Sequence, residues 1–245
     1  MEPAFVTGES VLMIGKTLVV SDLHIGIEYE FRKSGINIPS RTDEMISRIE
    51  SLLNTTNAKR LMILGDLKHR IPGISRQEER DIPRFINHFS GELEIVMGNH
   101  DPGIEKFCQE HMKLHPSDGV LVHNCYLIHG HAWPNTKFLE ADYLIMGHIH
   151  PQIEFKDKLG YRWIEPVWVR TRLNKENIED RYKKNGNPEV IVMPAFNPFS
   201  GGKILNNKEY DKTDRFISPI TRHTDMHNAR IFLVDGTFLG NLQNI

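Results

Sequence analysis

Five short motifs in the chain contain histidine, and three of them combine it with aspartate or asparagine. These side chains bind metal ions, and histidine also transfers protons near neutral pH. The most informative is GNHD at 98–101, which directly follows the apolar run LEIVM. Taken alone, this tetrapeptide fits an ordinary turn as well as a binding site, since glycine and asparagine are turn formers. The other motifs are SDLH at 21–24, LGDLKH at 64–69, HGH at 129–131 and GHIH at 147–150.

Each motif follows a run of apolar residues, so a β-strand is predicted to carry it to its position. The runs are TLVV, RLMI, LEIVM, CYLI and YLIM. In open α/β sheets, the carboxyl ends of the strands gather ligands at one edge. A single strand end of this kind has a simple explanation as a turn, but the recurrence of one design at five strand ends favours a shared site.

The spacing within SDLH places Asp22 and His24 on the same face of an extended chain, where both can bind one ion. The alternative is a strand end closed by an Asx turn beside an unrelated histidine. His69 can be a plain loop residue, and no role is assigned to His131. The candidate metal ligands are Asp22, His24, Asp66, Asn99, His129, His148 and His150.

This ligand set mixes oxygen and nitrogen donors, which suits manganese, iron, zinc, cobalt or nickel better than calcium or magnesium. It contains too many ligands for one tetrahedral zinc ion, and two ions that share a bridging carboxylate are the simpler arrangement. Two ions about 3.5 to 4 Å apart can hold a bridging hydroxide and bind two oxygens of a phosphoryl group. The set therefore predicts in-line hydrolysis of a phosphate ester with two divalent ions, and manganese is the metal we expect.

The rest of the chain is typical of one globular α/β domain over residues 1–245. Apolar residues at helical spacing predict a helix at about 39–57, with Ser40 as its N-cap. A second, partly helical stretch is predicted at 75–90, where Pro83 marks the start or a kink. The apolar residues of the first helix are interpreted as core.

The composition bears on partners and location. The formal net charge of −2 gives no overall attraction to nucleic acid or to anionic membranes, although a local basic surface is compatible with it. Cys108 and Cys125 are too few for a disulfide framework, so we expect a reducing, cytoplasmic environment. Neither a signal peptide nor a membrane span is predicted, because the apolar run VLMIG is interrupted at Lys16. No feature of the sequence indicates an oligomeric state.

In their order along the chain, the five motifs resemble the series DxH, GD, GNH(D/E), H and GHxH of the calcineurin-like metallophosphoesterase superfamily. The resemblance covers 22–150 and implies a four-layer α/β/β/α sandwich with a two-metal site along one edge. LGDLKH, together with PAFNPFSGG at 194–202, is similar to the ICC-like, DNA-ligase-associated subgroup. The resemblance implies that Asp66 bridges the metals, that the first is bound by Asp22, His24 and His150, and that the second is bound by Asn99, His129 and His148.

The resemblance also implies roles outside the metal shell. His100 matches the histidine that protonates or stabilises the leaving alkoxide, and Asp101 is expected to orient it by accepting the other N–H of its imidazole. Many members carry GDxxD where this chain has His69, so no metal-binding role is carried over to His69.

The substrate is predicted to be a phosphodiester rather than a phosphomonoester, and nucleic acid is one candidate. Residues 153–225 are predicted to form an insertion or cap region within the domain. After Gly147 the chain has many lysines and arginines with Trp163, Trp168 and Tyr182 among them, which fits either a surface for single-stranded nucleic acid or a solvated charged face with core aromatics. The alternatives are a hydrolase of cyclic nucleotides or other metabolite phosphates, and a metal-binding scaffold with little catalysis.

Overall fold

Two β-sheets form the framework of the protein, for which a computed structural model describes residues 1–89, 91–174, 178, 181–183, 186–207 and 218–245. In spatial order the first sheet contains β1 (Ala4–Phe5), β2 (Leu12–Ile14), β3 (Thr17–Val20), β4 (Arg60–Leu64), β5 (Glu92–Val96) and β6 (Met112–His115). β3, β4, β5 and β6 pair in parallel, whereas the β1–β2 and β2–β3 pairs are antiparallel. β3, β4 and β5 therefore end at the same edge.

Helices cover the outer face of the first sheet. The two that pack on this face are α2 (Thr42–Thr56) and α3 (Arg76–His88), and the short helix α1 (Glu28–Lys33) comes before them in the chain. Ile49 of α2 and Phe85 of α3 are fully buried in the same apolar cluster as Ile63 of β4. The two helices predicted from the apolar spacing are therefore present where they were expected.

The starts of these helices differ from the prediction. Arg41, not Ser40, precedes α2, and the Ser40 hydroxyl instead donates a hydrogen bond to the Asp81 carboxylate on α3 at 2.7 Å. α3 begins after Ser75, whose side chain forms a capping box. Because α3 continues through Pro83, this proline does not mark its start.

The second sheet brings together strands from the rest of the chain. They are β7 (Val120–Val122), β8 (Cys125–Ile128), β9 (Tyr143–Met146), β10 (Pro151–Lys156), β11 (Arg162–Arg172), β12 (Glu189–Val192), β13 (Lys203–Ile204), β14 (Arg230–Leu233) and β15 (Phe238–Asn241). The main spatial order is β13-β10-β11-β12-β9-β8-β7, and β14 pairs with β11 and with β15. β8 and β9 pair in parallel, so their carboxyl ends also meet at one edge.

Strands β11 and β12, which fall within the expected cap region at 153–225, occupy the interior of this sheet. Val169 of β11 and Val190 of β12 are buried in the core cluster on its outer face. The described part of that region therefore supplies central strands of the sheet, and an insertion or cap at 153–225 stays a prediction. Four stretches of it, at 175–177, 179–180, 184–185 and 208–217, lie outside the described residues.

The two sheets pack face to face around a third apolar cluster. Met62 of the first sheet contributes to this cluster together with Leu127 and Trp168 of the second. Trp168 is 1% exposed, and its ring meets the edge of the Phe5 ring at a centroid distance of 4.7 Å. Trp168 is therefore a core residue rather than part of a nucleic-acid surface.

A further layer lies on the outer face of the second sheet. It includes the 3-10 segment Thr136–Glu140 and the helical residues Ile178 and Tyr182, which join the core cluster on that face. Helices, two sheets and this layer give the four-layer α/β order that was predicted, and the fold class is confirmed. Within the described residues, each helix is too short or too polar to cross a bilayer.

The core position of Trp168 leads to a stability prediction. We expect Trp168→Ala to lower the free energy of unfolding by about 3–5 kcal/mol, because it leaves a cavity between the two sheets. Urea denaturation followed by circular dichroism measures this change. Trp163→Ala is the matched control, since Trp163 is 39% exposed and its loss should cost less than about 1 kcal/mol. Equal losses in the two variants would contradict the core assignment.

Candidate metal and catalytic site

The ends of five strands converge at the edge shared by the two sheets. Asp22, Asp66 and Asn99 follow β3, β4 and β5 of the first sheet, whereas His129 and His148 follow β8 and β9 of the second. The structure therefore brings all the predicted ligands together. Three groups of side chains have ligand atoms within 4.8 Å of one another, and one of them is formed by His24, His69 and His100. The other two contain only predicted ligands, with Asp22, His24 and His150 in the first and Asp66, His129 and His148 in the second.

The Asp66 carboxylate lies between these two groups. Its Oδ2 atom is 3.2 Å from His129 Nε2 and 3.7 Å from His24 Nε2. Asn99 joins the second group, because its Oδ1 atom is 3.1 Å from His129 Nε2. In the first group, His150 Nε2 lies 3.0 Å from Asp22 Oδ1. One carboxylate thus reaches both sets of donors.

The donor chemistry fits divalent transition-metal ions. Asp22 and Asp66 are 0% and 2% exposed, and a buried charge is costly unless a partner of opposite charge compensates it. His24 Nε2 and His150 Nε2 face each other at 3.4 Å, so two electron-pair donors point at one small space. Mixed imidazole and carboxylate donors are the ligands that such ions prefer.

The local electrostatics favour the deprotonated form, which is the form that binds a metal ion, in most of these groups. Burial raises the pKa of Asp22, but the neighbouring imidazoles of His150, His129 and His24 together outweigh it and hold this pKa well below its usual range. Burial also raises the pKa of Asp66, but neighbouring imidazoles, above all that of His129, lower it to about 2. Burial lowers the pKa of His24 to about 3. Against burial, Asp66 raises the pKa of His129 to about 9, so a metal ion must displace a proton there.

The backbone at the site is held in a conformation that non-glycine residues rarely adopt. Such residues cost about 1–3 kcal/mol each and persist only where surrounding contacts hold them. One such contact runs from the His148 amide N–H to Asp22 Oδ2 at 3.1 Å. The left-handed φ angles are 59° at Asp22, 44° at His24, 53° at Asp66, 71° at His148 and 49° at His150.

Two glycines permit the close approach of backbone to the buried carboxylates. A Cβ atom at Gly147 would lie 2.5 Å from Asp22 Oδ2 and would also overlap the Ser21 hydroxyl. A Cβ atom at Gly98 would overlap the Asp66 side chain in the same manner. The glycines of GNHD and GHIH are therefore required by the space beside the carboxylates.

Asp101 has a different partner from the one expected. The prediction that it accepts a hydrogen bond from the His100 imidazole is wrong, because its fully buried carboxylate accepts backbone N–H groups instead. These come from Asp66 at 2.8 Å, Leu67 at 2.9 Å, Lys68 at 3.4 Å and Gly98 at 2.7 Å. Asp101 therefore fastens the loop that carries Asp66 to the loop that carries Asn99. Burial raises the pKa of Asp101 to about 6.

His100 is oriented by His69 instead. Its Nδ1 atom lies against the His69 carbonyl oxygen, so this nitrogen carries hydrogen and donates. The opposite nitrogen, Nε2, lies 3.9 Å from Asp66 Oδ2, on a side chain that is 20% exposed. The His69 ring also reaches the first metal group, with its Nδ1 atom 3.3 Å from His24 Nδ1. His69 thus contacts both a candidate ligand and the candidate proton donor.

Two buried charges that the sequence did not reveal hold the His69 loop. Glu78 Oε1 accepts the backbone N–H groups of His69 at 2.9 Å and Arg70 at 2.7 Å. Lys68 Nζ donates to the carbonyl oxygens of Arg70 at 2.5 Å and Gly73 at 3.1 Å. The S-x-x-E capping pattern at Ser75 was the available signal for Glu78, whereas a lysine inside the core has no sequence signal.

His131, left without a role by the sequence, lies beside the second group. Its ring centroid is 5.4 Å from that of His129 and 6.0 Å from that of His148. Burial lowers its pKa to about 4, which keeps its ring neutral.

Comparison with known proteins gives a family match. A family model described as calcineurin-like phosphoesterase matches residues 15–209, which include every motif discussed above. No curated protein matches the sequence.

Solved structures with a similar fold were also found. The Pseudomonas putida nuclease MPE is 18% identical, with 97% of this chain and 99% of that chain covered and a TM-score of 0.58. The E. coli phosphoesterase Yfce is 16% identical over 91% of this chain and 96% of that chain, with a TM-score of 0.40. The first likeness supports a common fold, and the second is too weak for any conclusion.

The contacts of Asp101 predict a structural effect that metal-free protein should reveal. In Asp101→Asn, an NH2 group replaces an oxygen that accepts backbone N–H groups, so we expect a loss of about 2 kcal/mol in the free energy of unfolding. Urea unfolding in the presence of a chelator measures it. Asp235→Asn is the control, since Asp235 lies in an exposed turn. An unchanged stability of Asp101→Asn would contradict the bracing role.

Proposed function

The chain belongs to the calcineurin-like phosphoesterase family and is a hydrolase of phosphoester bonds, and we propose that it cleaves phosphodiesters with two divalent metal ions. The position of Asp66 carries this proposal. A carboxylate within 3.2 Å of one donor group and 3.7 Å of the other is placed to be shared by two ions. A single ion would leave one of the two groups without a partner.

The residues divide between the two ions as follows. In the first group, the donors are the Asp22 carboxylate and the Nε2 atoms of two histidines. In the second group, the Asn99 amide oxygen joins two histidines. Manganese fits such a mixed set, as do iron, zinc, cobalt and nickel. When bound, two such ions lower the pKa of water and neutralise charge on the phosphoryl oxygens. The proposed ligands are Asp22, His24 and His150 for one ion, Asn99, His129 and His148 for the other, and Asp66 for both.

His100 is the proposed catalytic proton donor. Because the His69 carbonyl takes the hydrogen on Nδ1, the second proton of the imidazolium resides on Nε2. Nε2 lies on the Asp66 side of the ring, at the same edge as the metal ligands. From there it can donate its proton to the oxygen of the departing alcohol, which leaves poorly as an alkoxide.

The substrate is proposed to be a phosphodiester, with nucleic acid as the first candidate. The Pseudomonas putida protein with a similar fold is a nuclease, which supports this choice without deciding it. A small cyclic nucleotide or another metabolite phosphate is the second candidate, because the same ligands and His100 would serve it. The complete ligand set speaks against a scaffold without catalysis. Both cysteines are free thiols, which agrees with the cytoplasmic location that we propose.

One assay tests the function directly. Single-stranded DNA, a 2′,3′-cyclic nucleotide and an aryl phosphodiester are supplied in turn to the manganese-loaded protein. We expect turnover of the aryl diester and of at least one of the other two. Absence of turnover with all three substrates, in protein shown by elemental analysis to hold manganese, would overturn the proposed activity.

His100→Ala should separate proton donation from metal binding. Both ions should remain by elemental analysis, while turnover of a substrate with a poor leaving group falls about 10²–10⁴-fold. An aryl diester with an acidic phenol should be affected much less, since its leaving group needs no proton. His88→Ala is the control, because His88 is exposed on α3. Equal losses with both leaving groups would show that leaving-group protonation is the wrong role.

Asp66→Asn should lower metal content as well as rate. The amide removes the negative charge that offsets the repulsion between two cations, so we expect fewer than two ions per chain by elemental analysis. Asp43→Asn is the matched control, because the Asp43 side chain is 74% exposed. Full occupancy of both sites in Asp66→Asn would contradict the bridging assignment.

A further inference from the structure

The loop at 194–202 follows β12 and lies against the SDLH motif, which supplies two of the candidate ligands. Two backbone N–H groups of this loop, those of Phe196 and Asn197, donate to two successive carbonyl oxygens of the motif at 2.9 and 3.3 Å. The Asn197 side chain adds a third hydrogen bond, from Nδ2 to the Leu23 carbonyl oxygen at 2.8 Å. One loop therefore holds three successive carbonyl groups of the motif.

The other end of the 194–202 loop reaches the third ligand proposed for the same ion. The Gly201 carbonyl oxygen lies 3.2 Å from His150 Nδ1. Because a carbonyl oxygen only accepts hydrogen bonds, the hydrogen of a neutral imidazole is held on Nδ1 and the lone pair stays on Nε2. Nε2 is the atom that faces Asp22 Oδ1 and His24 Nε2. The loop therefore favours the His150 tautomer that can bind the ion.

The end of the loop also lies close to the backbone of His150. The Lys203 N–H donates to the His150 carbonyl oxygen at 3.0 Å. A Cβ atom at Gly202 would overlap the same oxygen, so a residue without a side chain is required there. The imidazole and the backbone of this candidate ligand are therefore both held by one stretch of chain.

Asn197 links the two ends of the loop. Its Oδ1 atom accepts the N–H of Phe199 at 3.0 Å, and its backbone carbonyl accepts the hydroxyl of Ser200 at 2.6 Å. These bonds stabilise the 3-10 turn Pro198–Ser200, which leads directly into Gly201. The Asn197 side chain is 2% exposed, and it uses Nδ2 to hold the SDLH motif and Oδ1 to hold the turn.

The 194–202 loop is anchored in the core away from the ligands. Phe196 is 1% exposed and belongs to the apolar cluster that includes residues of α2. From α2, Arg48 Nη1 donates to the Phe196 carbonyl oxygen at 3.2 Å, and its guanidinium lies over the Phe196 ring at 4.3 Å from the centroid. Arg48 is itself paired with Glu9. These contacts involve no candidate ligand, so they hold the loop independently of metal binding.

We propose that Asn197 is a positioning residue for the first metal ion, because it holds the SDLH motif and, through Gly201, the His150 imidazole in place. This deepens the proposed function, since it rests on the assignment of the first group of ligands to one ion. Groups that orient metal ligands from outside contribute about 10–100-fold to metal affinity. Asn197 acts through its neighbours, because both polar atoms of its side chain are already hydrogen-bonded within the protein.

Manganese binding in the absence of substrate tests this role. Equilibrium dialysis of the metal-free protein against increasing manganese, with bound metal measured by elemental analysis, gives the affinity of both sites. We expect Asn197→Ala to weaken one site about 10–100-fold and to leave the other within about threefold of the unaltered chain. Asn54→Ala is the matched control, because Asn54 is exposed on α2, and it should bind both ions as the unaltered chain does.

Two further variants separate positioning from a structural role. Asn197→Ser keeps an oxygen that can cap the turn, but its side chain is too short to reach the Leu23 carbonyl. It should therefore lose manganese affinity as Asn197→Ala does. Gly202→Ala should weaken the same site, because the added Cβ atom pushes the loop away from His150.

A variant of a ligand to the second ion identifies the affected site. In Asn99→Ala, the second site is damaged and the donors of the first remain. Adding Asn197→Ala to this chain should weaken the remaining tight site. Weakening of the second site alone would contradict the assignment of Asn197 to the first ion.

Other outcomes would also overturn the positioning role. These are full manganese affinity of both sites in Asn197→Ala, and full recovery of affinity in Asn197→Ser. A loss of stability to urea in chelator with unchanged manganese affinity would show that Asn197 only stabilises the loop. Failure of the unaltered chain to bind manganese would overturn the two-metal proposal as well. Turnover of the aryl diester by the unaltered chain, with equal manganese binding by the variants, would reject the role of Asn197 alone.

Discussion

The structure depends on the convergence of two buried carboxylates, Asp22 and Asp66, at the edge where the two sheets meet. Each is surrounded by imidazole rings, and burial of this charge is unfavourable until a cation compensates it. The backbone around the carboxylates is strained as a result. The candidate ligands adopt left-handed backbone angles, and glycines lie where a Cβ atom would overlap the carboxylates. The strain is local and serves the position of a few oxygen and nitrogen atoms.

The convergence of the candidate ligands was predictable because each follows a strand with a clear apolar pattern. Parallel strands carry their carboxyl ends to a common edge, so a pattern that is local in sequence led to a non-local site. The burial of Trp168 and the central positions of β11 and β12 in the sheet were not predictable in this way. They follow from the pairing of β12 with β9 and of β11 with β14, which no local spacing indicates. The sequence therefore placed the site better than the second half of the core.

The outer contacts of the site were harder to infer than its ligands. Asp101 follows His100 directly, which made an imidazole partner plausible, but its oxygens accept backbone N–H groups from the segment 66–68 and from Gly98. Such groups have no residue-type signature, since every residue except proline offers one. The role of the His69 carbonyl cannot be inferred from the sequence either, because every residue has a backbone carbonyl. Its role depends on the buried charges of Glu78 and Lys68, which fix the path of the loop.

The placement of the ligands on two sheets has a mechanical meaning. His24 and His150 are 126 residues apart, and they belong to opposite sides of the seam between the sheets. An ion held by both would act as a cross-link between the two halves of the chain, tightening with metal concentration and opening with a chelator. A metal ion that serves the reaction would then also hold the two sheets together. The free energy of unfolding would therefore rise with the occupancy of the metal site.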